Sequence, residues 1–302
     1  INKFVPTDIS AAAPLLNNKK VTQLAVGGAH SMAIVPATGS DTSNNIFSWG
    51  YNFYGQIGIG NTTTPQLIPK RIVSTANKVF TQIAAGSAHS MAMTALTGTG
   101  SDISNNIFCW GLNTSGQLGI NVTDTSRNTP TRIVSTANKA YTQIAAGSLH
   151  SMALTADSSN NIYCWGINTS GQLGISVTDT SRNTPTRIVS TANKAFTQIA
   201  AGANHSMAMT ALTGTGSDTS NNIFCWGLNT FGQLGLSVTD TSRNTPTRIV
   251  STANKVYTQI AAGSNHSMAL TTDTSNNIYC WGDNTYGQLG IGTIDTSRNI
   301  PT

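Results

Sequence analysis

Apolar and polar residues in this chain alternate in short runs that never settle into a helical period. The stretch from Pro130 to Gly174 shows the arrangement. Thr131-Arg-Ile-Val134 is a short β-branched run, and Tyr141-Thr-Gln-Ile-Ala-Ala-Gly147 alternates before ending in small residues. His150-Ser-Met-Ala-Leu-Thr155 alternates again, and Ile162-Tyr-Cys-Trp165 follows. Between these last two runs lies Asn160-Asn161, suited to a two-residue hairpin turn because Asn tolerates positive φ. Four short strands punctuated by turn residues predict one blade of a β-propeller.

The same text returns five times. G-x-x-H-S-M-A recurs with its histidine at His30, His89, His150, His205 and His266. W-G-x-N-x-x-G-Q-(L/I)-G follows each time, with Trp49, Trp110, Trp165, Trp226 and Trp281 spaced 61, 55, 61 and 55 residues apart. A period of that size marks copied and stacked supersecondary units. The alternating steps reflect a long hairpin in units two and four and a short one in units three and five, as if a two-unit block had been duplicated. In a propeller the innermost strand crowds the axis, so Q-I-A-A-G, with Ala84-Ala85-Gly86 and its copies, is placed inside. The tryptophans are expected to fill the space between blades, because a large aromatic is the natural filler between sheets.

G-x-x-H-S-M-A followed by (F/Y)-(C/S)-W-G-x-N-x-x-G-Q-L-G resembles the repeat of the regulator of chromosome condensation family, over nearly the whole chain and in all five units. The resemblance implies an all-β propeller, here with five four-stranded blades where familiar members have seven. Either the ring is smaller or these units belong to a longer array. The chain stops at Asn299-Ile-Pro-Thr302 where other units continue P-T-R-I-V, and Val5-Pro-Thr-Asp-Ile9 resembles the missing piece. That complementarity favours a closed ring in which Val5–Ile9 pairs with the last blade as its outer strand, making 1–302 a single domain.

Relatives of this kind include an exchange factor for a small GTPase, a plant ultraviolet-B photoreceptor, a secreted β-lactamase inhibitor and parts of large ubiquitin ligases. Fold does not fix function, so each must be weighed against residues. The photoreceptor needs clustered tryptophans, and this chain has one per unit. Exchange factors insert a distinct wedge, whereas the longest insertion here, Thr94 to Asp102, is copied at Thr210 to Asp218.

Composition narrows the partners. Only 9% of the 302 residues are charged, and the formal charge of +5 arises from a shortage of acids, since no Glu is present. The only adjacent basic pairs are Lys19-Lys20 and Lys70-Arg71, which argues against nucleic acid. No run of about 18 apolar residues exists, which argues against membrane insertion by a helix. Beginning at Ile1, the chain reads as processed or trimmed. Abundant Thr, Ser and Asn lean toward an extracellular or particle-surface setting, where Asn61-Thr62-Thr63 and Asn121-Val122-Thr123 would be glycosylation sites.

The reactive residue types are all copied. Cys109, Cys164, Cys225 and Cys280 precede the repeat Trp, with Ser48 in the first unit; one unit apart, they suit small buried positions better than disulfides. His and Ser are neighbours on a strand, so their side chains point apart and make no triad. A ring of five histidines offers metal donors, but a His copied at one strand start is expected to make a local hydrogen bond in its own blade. Active sites need unlike groups converging on one pocket. The reading is therefore no catalysis, no cofactor and no metal.

Two function classes remain: a platform for a protein partner, and a building block of a filament, coat or particle surface that binds copies of itself. Departures from repetition locate the working face. After each W-G the frame is fixed while the filling changes: Tyr51-Asn-Phe-Tyr54, Leu112-Asn-Thr-Ser115, Ile167-Asn-Thr-Ser170, Leu228-Asn-Thr-Phe231 and Asp283-Asn-Thr-Tyr286. In a closed ring Tyr51, Phe53, Tyr54, Asp283 and Tyr286 gather on one side, with Phe231 one blade away. Loop aromatics supply contact area at low entropy cost.

Overall fold

The computed structural model describes residues 9, 16, 19–36, 45–73, 78–95, 106–123, 125–134, 139–158, 161–178, 180–189, 194–211, 222–239, 242–250, 255–275, 277–294 and 296–302. All its regular elements are strands, grouped in five antiparallel sheets. The first sheet runs β1 (Gln23–Val26), β2 (His30–Ile34), β3 (Ile46–Gly50) and β4 (Gln66–Arg71). The second runs β5 (Phe80–Ala85), β6 (His89–Thr94), β7 (Ile107–Gly111) and β8 (Arg127–Arg132). The third comprises β9 (Tyr141–Ala146), β10 (His150–Thr155), β11 (Ile162–Gly166) and β12 (Arg182–Arg187). The fourth comprises β13 (Phe196–Ala201), β14 (His205–Thr210), β15 (Ile223–Gly227) and β16 (Arg243–Arg248). The last holds β17 (Tyr257–Ala262), β18 (His266–Thr271) and β19 (Ile278–Gly282), with Arg298 and Thr302 bonded to β19 in the outer position.

The blades expected from the alternation are therefore present, and Q-I-A-A-G is the innermost strand of each. Ala85, Gly86, Ala146, Gly147, Ala201 and Gly202 face one shared axial opening. The outer strands start earlier than the β-branched runs suggested. β8 carries Pro130, and Gly111 pairs with Arg127 while Cys109 pairs with Thr131, a bulge that absorbs the extra residues. An edge strand tolerates this proline because its missing N–H is not needed by a further neighbour.

Four of the core clusters lie between successive blades, and a fifth packs Leu16 on Val35 and Phe47 of the first unit. Met152, Leu154, Ile162 and Leu173 of the third unit pack on Phe196, Ile199, Phe224 and Trp226 of the fourth. Trp165 and Trp110 likewise sit against the preceding blade, as expected of filler aromatics. The four cysteines are free and buried in these strands.

Asn side chains stitch successive blades at the end away from the W-G loops. Asn161 Nδ2 donates to Thr155 O (3.0 Å) and Phe196 O (2.9 Å), and its Oδ1 accepts the Phe196 N–H (3.0 Å). Asn45, Asn106 and Asn222 repeat the clasp on Phe80, Tyr141 and Tyr257. Asn161→Ala leaves both backbone groups of buried Phe196 unpaired, so urea unfolding should show a loss of about 2–4 kcal/mol.

The pairing expected of Val5–Ile9 with the last blade falls outside the described residues, apart from Ile9, which is exposed. The first part of the outer position on β19 is taken by the chain's own Arg298–Thr302. Backbone bonds link Gly28 to Gly86, Ser87 to Ser148, Ser148 to Ala203 and Ala203 to Ser264; among the described residues none runs from the last blade back to the first. Ile46, Ile107, Ile162 and Ile223 are fully buried, yet their counterpart Ile278 is 60% exposed.

Candidate functional site

The W-G loops and the starts of the His strands lie at one end of every blade, because His89 pairs with Gly111 and Leu112 N–H donates to Ala88 O. The loop frame is fixed by its own side chains. Asn113 Oδ1 accepts the Leu118 N–H (3.1 Å), Asn113 Nδ2 donates to Val122 O (2.8 Å), and Gln117 Oε1 accepts the Ser115 N–H (2.9 Å). Gly116 and Gly119 have φ of +78° and +68°, and each lies hard against the next blade, at Asn183 and at the Trp165 indole. A side chain at either would be strained by the backbone and would meet its neighbour below 3 Å.

His30, His89, His150 and His205 do not bond within their own blade, as the sequence suggested; each reaches into the next. His30 Nε2 meets Ser90 Oγ at 2.9 Å, and the pairs His89–Ser151, His150–Ser206 and His205–Ser267 follow at 3.0 Å. His and Ser, sequence neighbours whose side chains diverge, are thus brought together across the blade junction. Each of these serines donates its one hydroxyl proton to a backbone carbonyl of the preceding blade, Gln56, Gln117, Gln172 or Gln233, at 2.8–2.9 Å. The same carbonyls accept the indole N–H of Trp110, Trp165, Trp226 and Trp281.

This geometry settles the tautomer. With the Ser proton spent on the Gln carbonyl, His Nε2 must be the donor, and Nδ1 carries the bare lone pair. The Nδ1 atoms of His30, His89, His150 and His205 are buried without a partner. Burial, and for His89 and His205 the adjacent histidines, lowers their pKa to about 4, 3, 4 and 3 respectively. A serine that donates to a carbonyl beside a neutral, buried imidazole is a structural clasp and not an activated nucleophile. Burial also pushes the Cys109, Cys164 and Cys225 thiols up, away from the reactive thiolate. Among the described residues, no group of three or more His, Cys, Asp or Glu side chains is placed to hold a metal ion.

What differs between units is the loop filling. Tyr51, Phe53 and Tyr54 form one cluster, with ring centroids 6.3 Å apart for Tyr51–Phe53 and 5.0 Å, edge to face, for Phe53–Tyr54. Phe53 is 58% exposed and Tyr51 is exposed beside it. Tyr286 is 90% exposed and Phe231 half-buried; among the described residues neither makes a ring contact with the cluster. Asp283 is buried, and its Oδ1 accepts from the Thr285 N–H and hydroxyl. Burial works against its charge, but the Thr285 donors outweigh that and hold its pKa below the usual carboxylate range.

Sequence reasoning missed one feature of this end of the molecule, the His–Ser pairing between blades. The constant spacing of G-x-x-H-S carried the signal, but only the stacking of units could reveal it.

A family model described as RCC1-like domain matches residues 5–302. The ultraviolet-B receptor UVR8 of Arabidopsis thaliana is 28% identical over 298 residues, covering 99% of this chain and 60% of that protein. The probable E3 ubiquitin-protein ligase HERC6 of Homo sapiens is 31% identical over 281 residues, covering 92% of this chain and 25% of that protein. This chain therefore spans only part of the length of these relatives. Among solved structures, human WBSCR16 aligns with a TM-score of 0.75 at 22% identity, over 94% of this chain and 66% of that one. Prp20p from Saccharomyces cerevisiae, described with its binding to Gsp1p and histones, aligns with a TM-score of 0.73 at 22% identity, over 96% of this chain and 64% of that one. At such identities the structures speak for the fold. Among the described residues no helix is long and apolar enough to cross a membrane.

Proposed function

This chain belongs to the RCC1-like domain family, and on that premise we propose that it is a non-catalytic platform on which a protein partner docks. The observation that carries the reading is a division of labour. The copied His, Ser, Trp, Gln and Asn residues hold blades and loops together, while several of the residues that differ between copies are aromatic and lie on the W-G loops, with Tyr51, Phe53 and Tyr286 exposed. Tyr51, Phe53 and Tyr54 form the centre of the proposed contact surface, and Phe231 and Tyr286 extend it along the same face. Asp283 shapes its own loop by holding Thr285 and contributes less to the contact itself. Aromatic side chains at loop tips are the usual anchors of protein interfaces. Residues 1–302 would act as one domain in this role.

The triple variant Tyr51→Leu, Phe53→Thr, Tyr54→Ser gives the first loop the residues that the second already uses, so the fold should accept it with a stability change within about 1 kcal/mol. A partner retained from the source extract by immobilised parent protein should be lost with this variant. Equal retention would move the contact surface elsewhere; the double variant Phe231→Ser, Tyr286→Ser then asks whether the extension of the face carries it.

A further inference from the structure

The positive charge of this chain is gathered at one end of the blades. The outer strands of the first four blades end on Arg71, Arg132, Arg187 and Arg248, and a lysine follows each of them seven residues later, just ahead of the next inner strand. Phe108 pairs with Arg132 and Tyr163 with Arg187, which puts these arginines at the end away from the W-G loops. With Lys70 that end holds nine cations, against one Asp in each of the five hairpins joining second and third strands; of these, Asp41, Asp102 and Asp218 lie outside the described residues. At the W-G end four arginines, Arg127 and its copies, meet Asp283 and the Asp of four D-T-S-R turns, the latter also outside the described residues. The cationic excess therefore belongs to the hairpin end, an asymmetry that the dispersed spacing of Lys and Arg along the chain conceals.

Each of the four strand-ending arginines is held over an aromatic ring of the strand beside it, 5.3–5.8 Å from the centroid. One face of the guanidinium is covered in this way, and its N–H edge is left to meet an anion. Asp157 shows what this arrangement takes: its carboxylate stands 2.7 Å from Lys139 Nζ and 3.6 Å from Arg187 Nη2. Arg132 and Arg187 are exposed, and the lysines are half-buried. We infer that this end of the propeller binds a carboxylate-rich segment of a protein partner, with the Arg and Lys side chains of successive blades taking its acidic groups. Spaced carboxylates on an extended segment match cations that come one Arg and one Lys to a blade with an Asp between them. A duplex carries about one charge per 1.7 Å and would set its phosphates against those aspartates as well. The contact lies at the opposite end from the W-G loops and does not depend on the function proposed for them.

Fluorescence anisotropy of a labelled oligo-glutamate peptide with the intact chain tests it. The parent should bind at low ionic strength and lose at least about tenfold in affinity as salt rises to a physiological level, because exposed charge pairs are screened. Arg132→Gln with Arg187→Gln should weaken binding about fivefold. Arg127→Gln with Arg182→Gln removes the same charge at the W-G end and should leave binding unchanged. If the first pair of substitutions prevents folding, Lys78→Gln with Lys194→Gln tests the same end. The triple loop variant should bind the peptide like the parent, which separates this contact from docking on the W-G face. Single-stranded DNA with the same number of charges should bind more weakly than the peptide. No binding of the peptide at low salt, equal losses from the two arginine pairs, or tighter binding of the DNA would overturn the inference.

Discussion

Between pH 7 and pH 5 the protein should lose most of its stability. Four histidines are neutral and buried, with folded-state pKa values of about 3 to 4 against 6.5 when exposed. A depressed folded-state pKa means that the unfolded chain binds protons first as pH falls. The stabilising contribution is therefore complete above 6.5 and is lost progressively below it, until the folded protein itself protonates near pH 3 to 4. Each histidine costs about 1.4 kcal/mol per pH unit in this window, or about 2 kcal/mol by pH 5. Four together amount to about 8 kcal/mol, comparable with the whole stability of an ordinary domain. Asp157 and Asp273, held low by their hydrogen bonds from Lys139 and Lys255, stay charged throughout this range. Urea denaturation at half-unit steps should show the unfolding midpoint falling steeply below pH 6.5. A midpoint flat to pH 5 would mean the imidazoles are not buried in neutral form.

Trp165→Ala should cost about 3–5 kcal/mol, and the same substitution at Trp49 far less. Trp165 is fully buried against Met91, Ile107, Leu118 and Tyr141, and its indole N–H donates to Gln117 O at 2.9 Å. Removing it opens a large cavity between two blades that the surrounding strands cannot collapse to fill. Trp165→Phe, which keeps most of the packing and loses the hydrogen bond, should cost about 1–2 kcal/mol. Trp49 occupies the same place in the repeat, yet it is half-buried. In dilute solution, Trp49→Ala should cost no more than about 1.5 kcal/mol. Chemical denaturation of the pair measures the difference directly. Equal losses at the two positions would show that the first blade is covered by the last after all.

Much of this was legible in the sequence because the repeat is itself a physical message. The alternation of Tyr141–Gly147 and His150–Thr155 named strands, the small residues of Q-I-A-A-G named the inner one, and one Trp per unit named the filler between blades. The role of His150 was not legible, since its partner Ser206 lies 56 residues away in the next unit and its immediate neighbour Ser151 serves His89. The candidate contact face was visible as a departure from repetition at Tyr51, Phe53 and Tyr54. How those rings group was not: only Tyr51, Phe53 and Tyr54 make ring contacts with one another.

The account rests on the copied histidines being clasps between blades, and imidazole nitrogen NMR reads that directly. In 15N-labelled protein at pH 6, His89, His150 and His205 should each show the neutral tautomer protonated at Nε2, with an unprotonated Nδ1, and should not titrate above pH 5. Replacing Ser206 with Ala should disturb the His150 Nε2 signal and leave that of His89 in place. Histidines that titrate near 6.5, or that carry their proton on Nδ1, would contradict the interblade clasp and reopen the ring of imidazoles as a functional site.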